Sequence, residues 1–184
     1  PWPGQGFYFK KEVKSSADTQ GIKFRSYNSA TATFAEELGM IPVQIEAAEL
    51  SQALATGVAE SFISSGSTGY DRKVWESLSH YYKVNAWLPR NYVMVNKGVW
   101  DGLDSTTQGQ VQKAADETGA ACSTKSQALA SWYFEQLSSN GMSVEDAGPV
   151  FLSELKAIGV KMTADWLANV GSDGQAILDS YNAQ

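Results

Sequence analysis

The sequence predicts an α/β fold built on a mostly parallel sheet with helices on its faces. Three observations carry that expectation. Short β-rich stretches alternate with helical ones between Gly21 and Ser64. The helical stretches end on glycine, at Gly39 and Gly57. The crossovers between strands are too long for hairpins and suit the right-handed connections of parallel strands.

Gly6-Phe7-Tyr8-Phe9-Lys10 reads as a first strand after a Pro/Gly-rich start. A polar loop, Ser15 to Gln20, leads to a second strand, Gly21-Ile22-Lys23-Phe24-Arg25-Ser26-Tyr27. Asn28 and Ser29 are good N-caps for the next helix, which carries Phe34 and Leu38 one turn apart and stops at Gly39. Ile41-Pro42-Val43-Gln44-Ile45 is a third strand, a helix with Leu50 and Leu54 on its apolar stripe runs to Gly57, and Glu60-Ser61-Phe62-Ile63-Ser64 is a fourth strand. Asp71 to Ser79 reads as helical. Tyr81 to Asn96 is β-rich and interrupted by Pro89, with Tyr92-Val93-Met94-Val95 as a buried strand inside it.

Asp104 or Ser105 then caps a helix that runs to about Asn140, on a stripe of Val111, Ala115, Thr118, Cys122, Leu129, Tyr133 and Leu137. About 36 residues of helix span ~54 Å, more than a small domain is wide, so the helix either kinks near Gly119 or runs along two lobes. Ser143 to Asp146 is a short strand. Helical segments follow at Pro149 to Ile158, Thr163 to Asn169 and Asp173 to Tyr181.

Composition narrows the function. Fourteen basic against twenty acidic side chains give a net charge of −6, which argues against nucleic acid or anionic lipid as the main partner. The sequence has no apolar run of the ~20 residues that span a bilayer. Pro1-Trp2-Pro3-Gly4 lacks the basic and apolar regions of an export signal, which has either been removed or was never there. The single cysteine, Cys122, and the single histidine, His80, supply neither a zinc cluster nor a Ser-His-Asp site. Gly66-Ser67-Thr68-Gly69 is not a phosphate loop, because the lysine is missing. No catalytic residue, metal site or cofactor is expected.

The order of segments resembles the DctP-type solute receptors of TRAP (tripartite ATP-independent periplasmic) transporters. Gly21-Ile22-Lys23-Phe24-Arg25-Ser26-Tyr27-Asn28 is similar to the segment bearing that family's substrate-binding arginine. Phe34-Ala35-Glu36-Glu37-Leu38-Gly39, Ile41-Pro42-Val43, the helix from Glu49 to Val58, Asn91-Tyr92-Val93-Met94-Val95-Asn96-Lys97 and Trp100 follow in family order. The resemblance implies a periplasmic-binding-protein-like fold of two α/β lobes closing over a ligand. It also implies a longer mature polypeptide, of which this chain is the C-terminal part. Residues 1–90 and 131–184 would then form the second lobe. The crossing strand and the long helix of 91–130 would pack on the missing N-terminal lobe. Left without that lobe, the chain is expected to swap, dimerise or aggregate through its unpaired strand.

The implied function is a periplasmic receptor that captures a small organic carboxylate, one that is aromatic or bulky, and delivers it to the membrane subunits of a TRAP transporter, without entering the membrane or binding nucleic acid. Arg25 is the leading ligand contact, since a guanidinium offers paired donors to a carboxylate from the end of a strand. Ser64 and Ser65 follow the fourth strand and either contact ligand or form an ordinary polar turn. Asn28 adjoins the arginine segment. Trp87 either stacks on the ligand body or packs the hinge, and Asn91 can hydrogen-bond a ligand hydroxyl or carboxylate. Tyr27 and Tyr70 are candidate aromatic walls. Two other readings remain open: an α/β enzyme acting on a carboxylate, which lacks a visible nucleophile–base pair, and a ligand-sensing module.

Overall fold

The computed structural model describes residues 2–183. One six-stranded sheet organises it, in the order β3-β2-β4-β1-β5-β6. The strands are β1 (Gln5–Phe9), β2 (Lys23–Ser26), β3 (Ile41–Gln44), β4 (Ser61–Ser64), β5 (His80–Trp87) and β6 (Ser143–Asp146). β2 is parallel to β3 and β4, and β5 is parallel to β6. β1 lies between β4 and β5 and is antiparallel to both. The parallel-rich α/β architecture matches the expectation; the reversed central strand was not anticipated.

β1 is buried on both faces, so its sequence shows no alternation of polar and apolar residues. Phe7 and Phe9 enter a core with Phe24, Phe34, Leu38, Ile63, Tyr82 and Phe151. Tyr8 enters the opposite core with Leu50, Leu54, Phe62, Tyr81 and Leu137. Tyr8 and Phe62 stack with ring centroids 4.3 Å apart. Two glycines make room for this central strand. A Cβ at Gly6 would strike the Tyr82 carbonyl and the Tyr81 ring, and one at Gly69 would strike the Tyr8 hydroxyl.

Helices cover both faces. α1 (Ser29–Glu37) is capped by Asn28, whose side chain accepts from Thr31 N at 2.8 Å. α2 (Leu50–Ala55) follows a short 3-10 turn and buries Leu50, Ala53 and Leu54. α3 (Gly66–Asp71) occupies what the sequence suggests is a polar loop. Glycine and serine are poor helix formers, but Gly66 lets the turn approach Tyr133 and Phe134, so tertiary contact overrides propensity. Asp71 to Ser79, expected as a helix, holds only the end of α3 and a 3-10 turn at Val74–Glu76. Lys73 takes a left-handed conformation at φ 49°, which breaks the helix there.

The expected strand Tyr92 to Val95 is not a strand. The chain leaves β5 at Trp87, and residues 88–96 have no regular structure before α4 (Lys97–Asp101). Val93 is 100% exposed and Met94 87%. The segment has strand-forming residues but no neighbouring strand to supply hydrogen bonds, and β propensity alone does not hold an isolated strand.

α5 (Ser105–Ser139) is a single helix with its N-cap at Asp104, and no break occurs at Gly119. Of the expected stripe, only the C-terminal end is buried: Leu137 is enclosed, Leu129 and Tyr133 are half-buried, and Val111 and Cys122 are exposed. α6 (Pro149–Asn182) merges the three helical segments read from the sequence, with one break at Gly171 (φ 66°, ψ −143°). Gly159 does not interrupt it, because Phe151, Leu155 and Ile158 anchor the preceding turns in the core. Among the described residues no helix is long and apolar enough to cross a membrane.

Candidate functional site

The sheet brings the carboxyl ends of β2, β4 and β5 to one side. Because β1 runs the other way, its first residue, Gln5, lies on that same side, opposite Trp87. Arg25, Tyr27, Ser64, Ser65, Trp87 and Gln5 therefore belong to one end of the sheet. Strand ends of this kind are where open α/β sheets hold ligands.

Arg25 is only 5% exposed. Its Nε donates to the Ile45 carbonyl at 2.8 Å, which fixes the plane of the guanidinium. The guanidinium carbon sits 5.0 Å from the centre of the Tyr27 ring. Among the described residues it forms no ion pair, and neither Nη group has a hydrogen-bond acceptor. Burial pulls its pKa below the ordinary arginine value, while Tyr27 and Glu46 act in the opposite direction. A buried cation left with two open donor groups suits an anionic ligand.

The tyrosine beneath the arginine is itself tied down. The Tyr27 hydroxyl donates to Gln5 Oε1 at 2.9 Å, and burial raises the pKa of that phenol. Gln5 is 6% exposed. Arg25, Tyr27 and Gln5 thus form a continuous contact line along the strand ends.

A second polar group forms after β4. Ser65 Oγ lies 2.8 Å from Ser67 Oγ and accepts from the Trp2 indole nitrogen at 3.0 Å. The Ser65 carbonyl accepts from the Tyr8 hydroxyl at 2.9 Å. Trp2 N also donates to the Pro89 carbonyl at 2.9 Å, so the segments entering β1 and leaving β5 are pinned together beside the serines. Near that crossing, β5 bulges: Phe7 pairs with Tyr82, but Gln5 pairs with Trp87. Asn85 takes φ 48° within the bulge, and Gly4 abuts its side chain. The bulge sets Trp87, half-buried, beside the Phe7 core and opposite Gln5, as bulges near sites commonly re-aim a side chain.

The remaining candidates are not part of this contact line. Asn28 spends its carbonyl oxygen on the cap of α1. Tyr70 packs on Trp75, Trp132 and Tyr133 between α3 and α5, away from the Arg25 line. Asn91 is exposed in the irregular segment after β5. Gln5 and Trp2 were missed by sequence reasoning; a glutamine and a tryptophan in a Pro/Gly-rich start carry no pattern, and only the reversed direction of β1 brings them to the site.

Two hollows flank the area. An apolar groove of about 540 Å³, lined by Ala30, Phe34, Val84, Trp87, Met162 and Trp166, runs between α1, β5 and α6. A smaller one of about 190 Å³ lies between Trp2, Ser67, Cys122, Lys125 and Tyr133. Among the described residues no group of His, Cys, Asp and Glu side chains is arranged to hold a metal ion.

The chain as a whole is similar to solved solute-binding proteins. A solved TRAP solute-binding protein from a marine metagenome, specific for pyroglutamate and holding co-purified pyroglutamate, is 78% identical with a TM-score of 0.97. This chain is covered over 100% of its length by the match and spans 60% of that protein. An extracytoplasmic solute receptor of Bordetella pertussis that binds pyroglutamic acid is 43% identical, TM-score 0.96, over 100% of this chain and 61% of its own. A second such Bordetella pertussis receptor, also binding pyroglutamic acid, is 35% identical, TM-score 0.96, over 99% of this chain and 60% of its own. The chain therefore spans about 60% of the length of these relatives. The model of the DctP family, the bacterial extracellular solute-binding proteins of family 7, matches residues 5–168, and the chain belongs to that family.

Proposed function

We propose that the full-length protein containing this chain is a periplasmic receptor that captures pyroglutamate, a small cyclic carboxylate, and delivers it to the membrane subunits of a TRAP transporter. The observation that carries this reading is Arg25: buried, held flat by Ile45, and without an anionic partner among the described residues. The relatives at 78%, 43% and 35% identity support the choice of ligand. Capture is reversible and makes or breaks no bond, so the protein is a binding protein and not an enzyme. Ser64, Ser65, Tyr27 and Trp87 would line the same cleft, with Asn91 reaching it from the segment after β5. Thermal unfolding of the full-length protein tests the ligand class. Pyroglutamate is expected to raise the melting temperature by several degrees at millimolar concentration; neutral sugars, amines and inorganic phosphate are expected to leave it unchanged. A largest shift with a neutral sugar would overturn the reading.

The domain division follows from the same proposal. Residues 2–90 and 131–183 form the lobe that carries Arg25. Residues 91–130 would pack on the portion of the relatives that this chain does not span. The exposure of Tyr92, Val93, Met94 and Val95, and of most of α5, supports that assignment. The 184-residue chain by itself is then expected to self-associate through this apolar segment. Sedimentation velocity checks it: the double variant Val93→Lys, Val95→Lys is expected to return the chain to monomer. A wild-type chain that is monomeric at high concentration would count against the division.

A further inference from the structure

We infer that Gln5 is a specificity-determining residue that recognises a ring amide, so that the site reads a carboxylate through Arg25 and an adjacent lactam through Gln5. This rests on the receptor reading given above.

Three observations lead to it. Gln5 is a polar side chain 6% exposed at the ligand end of the sheet, a position where an apolar residue would be the cheaper choice. Its Oε1 is already used, accepting from the Tyr27 hydroxyl at 2.9 Å. That bond fixes the amide and turns Nε2 away from Tyr27. Nε2 has no hydrogen-bond partner among the described residues. It is not sealed off either, because the enclosed side-chain polar atoms without partners are Ser61 Oγ and Ser126 Oγ. An amide donor that is fixed, poorly hydrated and still open has the geometry of a recognition group.

The neighbours define what it can recognise. One tyrosine ring separates Gln5 from the Arg25 guanidinium, which sits 5.0 Å from that ring's centre. A ligand carboxylate on Arg25 would thus leave the rest of a small molecule beside Gln5 and Trp87, which face each other across β1 and β5. Nε2 donates, so its partner must be an acceptor, and a lactam carbonyl is a strong neutral one. A glutamate at this position would repel both that carbonyl and the ligand carboxylate. A site built to hydrogen-bond a substrate group rejects analogues lacking it, because its own polar atom is left unpaired.

The test compares two ligands on the full-length protein by isothermal titration calorimetry: pyroglutamate, and cyclopentanecarboxylate, which keeps the ring size and carboxylate but has no amide. Wild type is expected to prefer pyroglutamate by at least about tenfold. Gln5→Leu, close in volume, is expected to bring the two affinities within about threefold of each other by weakening pyroglutamate alone. Tyr27→Phe, which keeps Gln5 but frees its carbonyl oxygen, is expected to reduce the preference part-way, and it serves as the test if Gln5→Leu does not fold. A Gln5→Leu protein that keeps the wild-type preference, or that loses both ligands equally, overturns the role of Gln5 while leaving the carboxylate reading intact. A wild-type protein that binds neither ligand overturns both.

Discussion

Replacing Arg25 with alanine is expected to abolish carboxylate capture by the full-length protein. A desolvated, hydrogen-bonded charge pair typically costs about 2–5 kcal/mol when one partner is truncated, which is at least about 30-fold in affinity. The cost is at the upper end where the remaining charge is left buried, and Arg25 lies in a site 5% exposed to solvent. Arg25→Lys is expected to fall between. An ammonium keeps the charge, but it does not reproduce a planar fork that holds Ile45 O with one nitrogen and offers two more to a ligand. Titration calorimetry with pyroglutamate measures both variants, and far-ultraviolet circular dichroism checks that they fold. Near-wild-type affinity in Arg25→Ala would remove this residue from the centre of the site.

The largest effect on stability is expected from Phe7→Ala. Phe7 is fully buried, and its ring centre lies 5.7 Å from Phe9, 6.2 Å from Phe24, 5.6 Å from Phe34 and 6.0 Å from Phe151. Truncating such a residue removes its transfer free energy and leaves a cavity among rings that cannot all collapse inward, a loss of about 3–5 kcal/mol. Urea denaturation followed by tryptophan fluorescence measures it. A loss below about 1 kcal/mol would mean that the aromatic cluster re-packs freely, against the density expected of a protein interior.

These two residues also mark what was legible in the sequence. β2 and β3 could be read because each is followed by a helix ending on glycine, β4 because it follows the second of those helices, and Arg25 could be placed at a strand end from that alternation. The long helix was legible from its 3.6-residue stripe, but how much of the stripe is buried was not, because that depends on what surrounds it. The direction of β1 was hidden. Gln5–Phe9 is enclosed on both faces, so no period reveals its orientation, and its antiparallel placement is a long-range choice. Gln5 was missed for that reason. α3 was hidden by its own composition, since Gly66 and Gly69 are there for close approach and not for helix propensity. Tyr92 to Val95 failed in the opposite way: a strand-like composition met no partner strand.

The contact between Tyr8 and Gly69 also bears on how this sequence can change. The Tyr8 hydroxyl is held by the Ser65 carbonyl at 2.9 Å and fills the space that a Cβ at position 69 would need. The two positions are therefore not free to vary independently. Alanine at 69 is incompatible with tyrosine at 8, and phenylalanine at 8 does not relieve the clash, because the ring carbons Cζ and Cε1 would still lie 2.7 and 2.8 Å from that Cβ; only a side chain without the ring clears the space. Phenylalanine at 8 alone gives up a buried hydrogen bond and leaves the Ser65 carbonyl with the longer bond from Gly69 N at 3.4 Å, a loss of about 1 kcal/mol. The order of substitution then matters: a drifting lineage can cross only by losing the buried ring at 8 first, at a cost of about 3–5 kcal/mol, whereas the glycine change first meets a steric wall. Related sequences should accordingly carry a bulky residue at 69 only on backgrounds where position 8 has already become smaller.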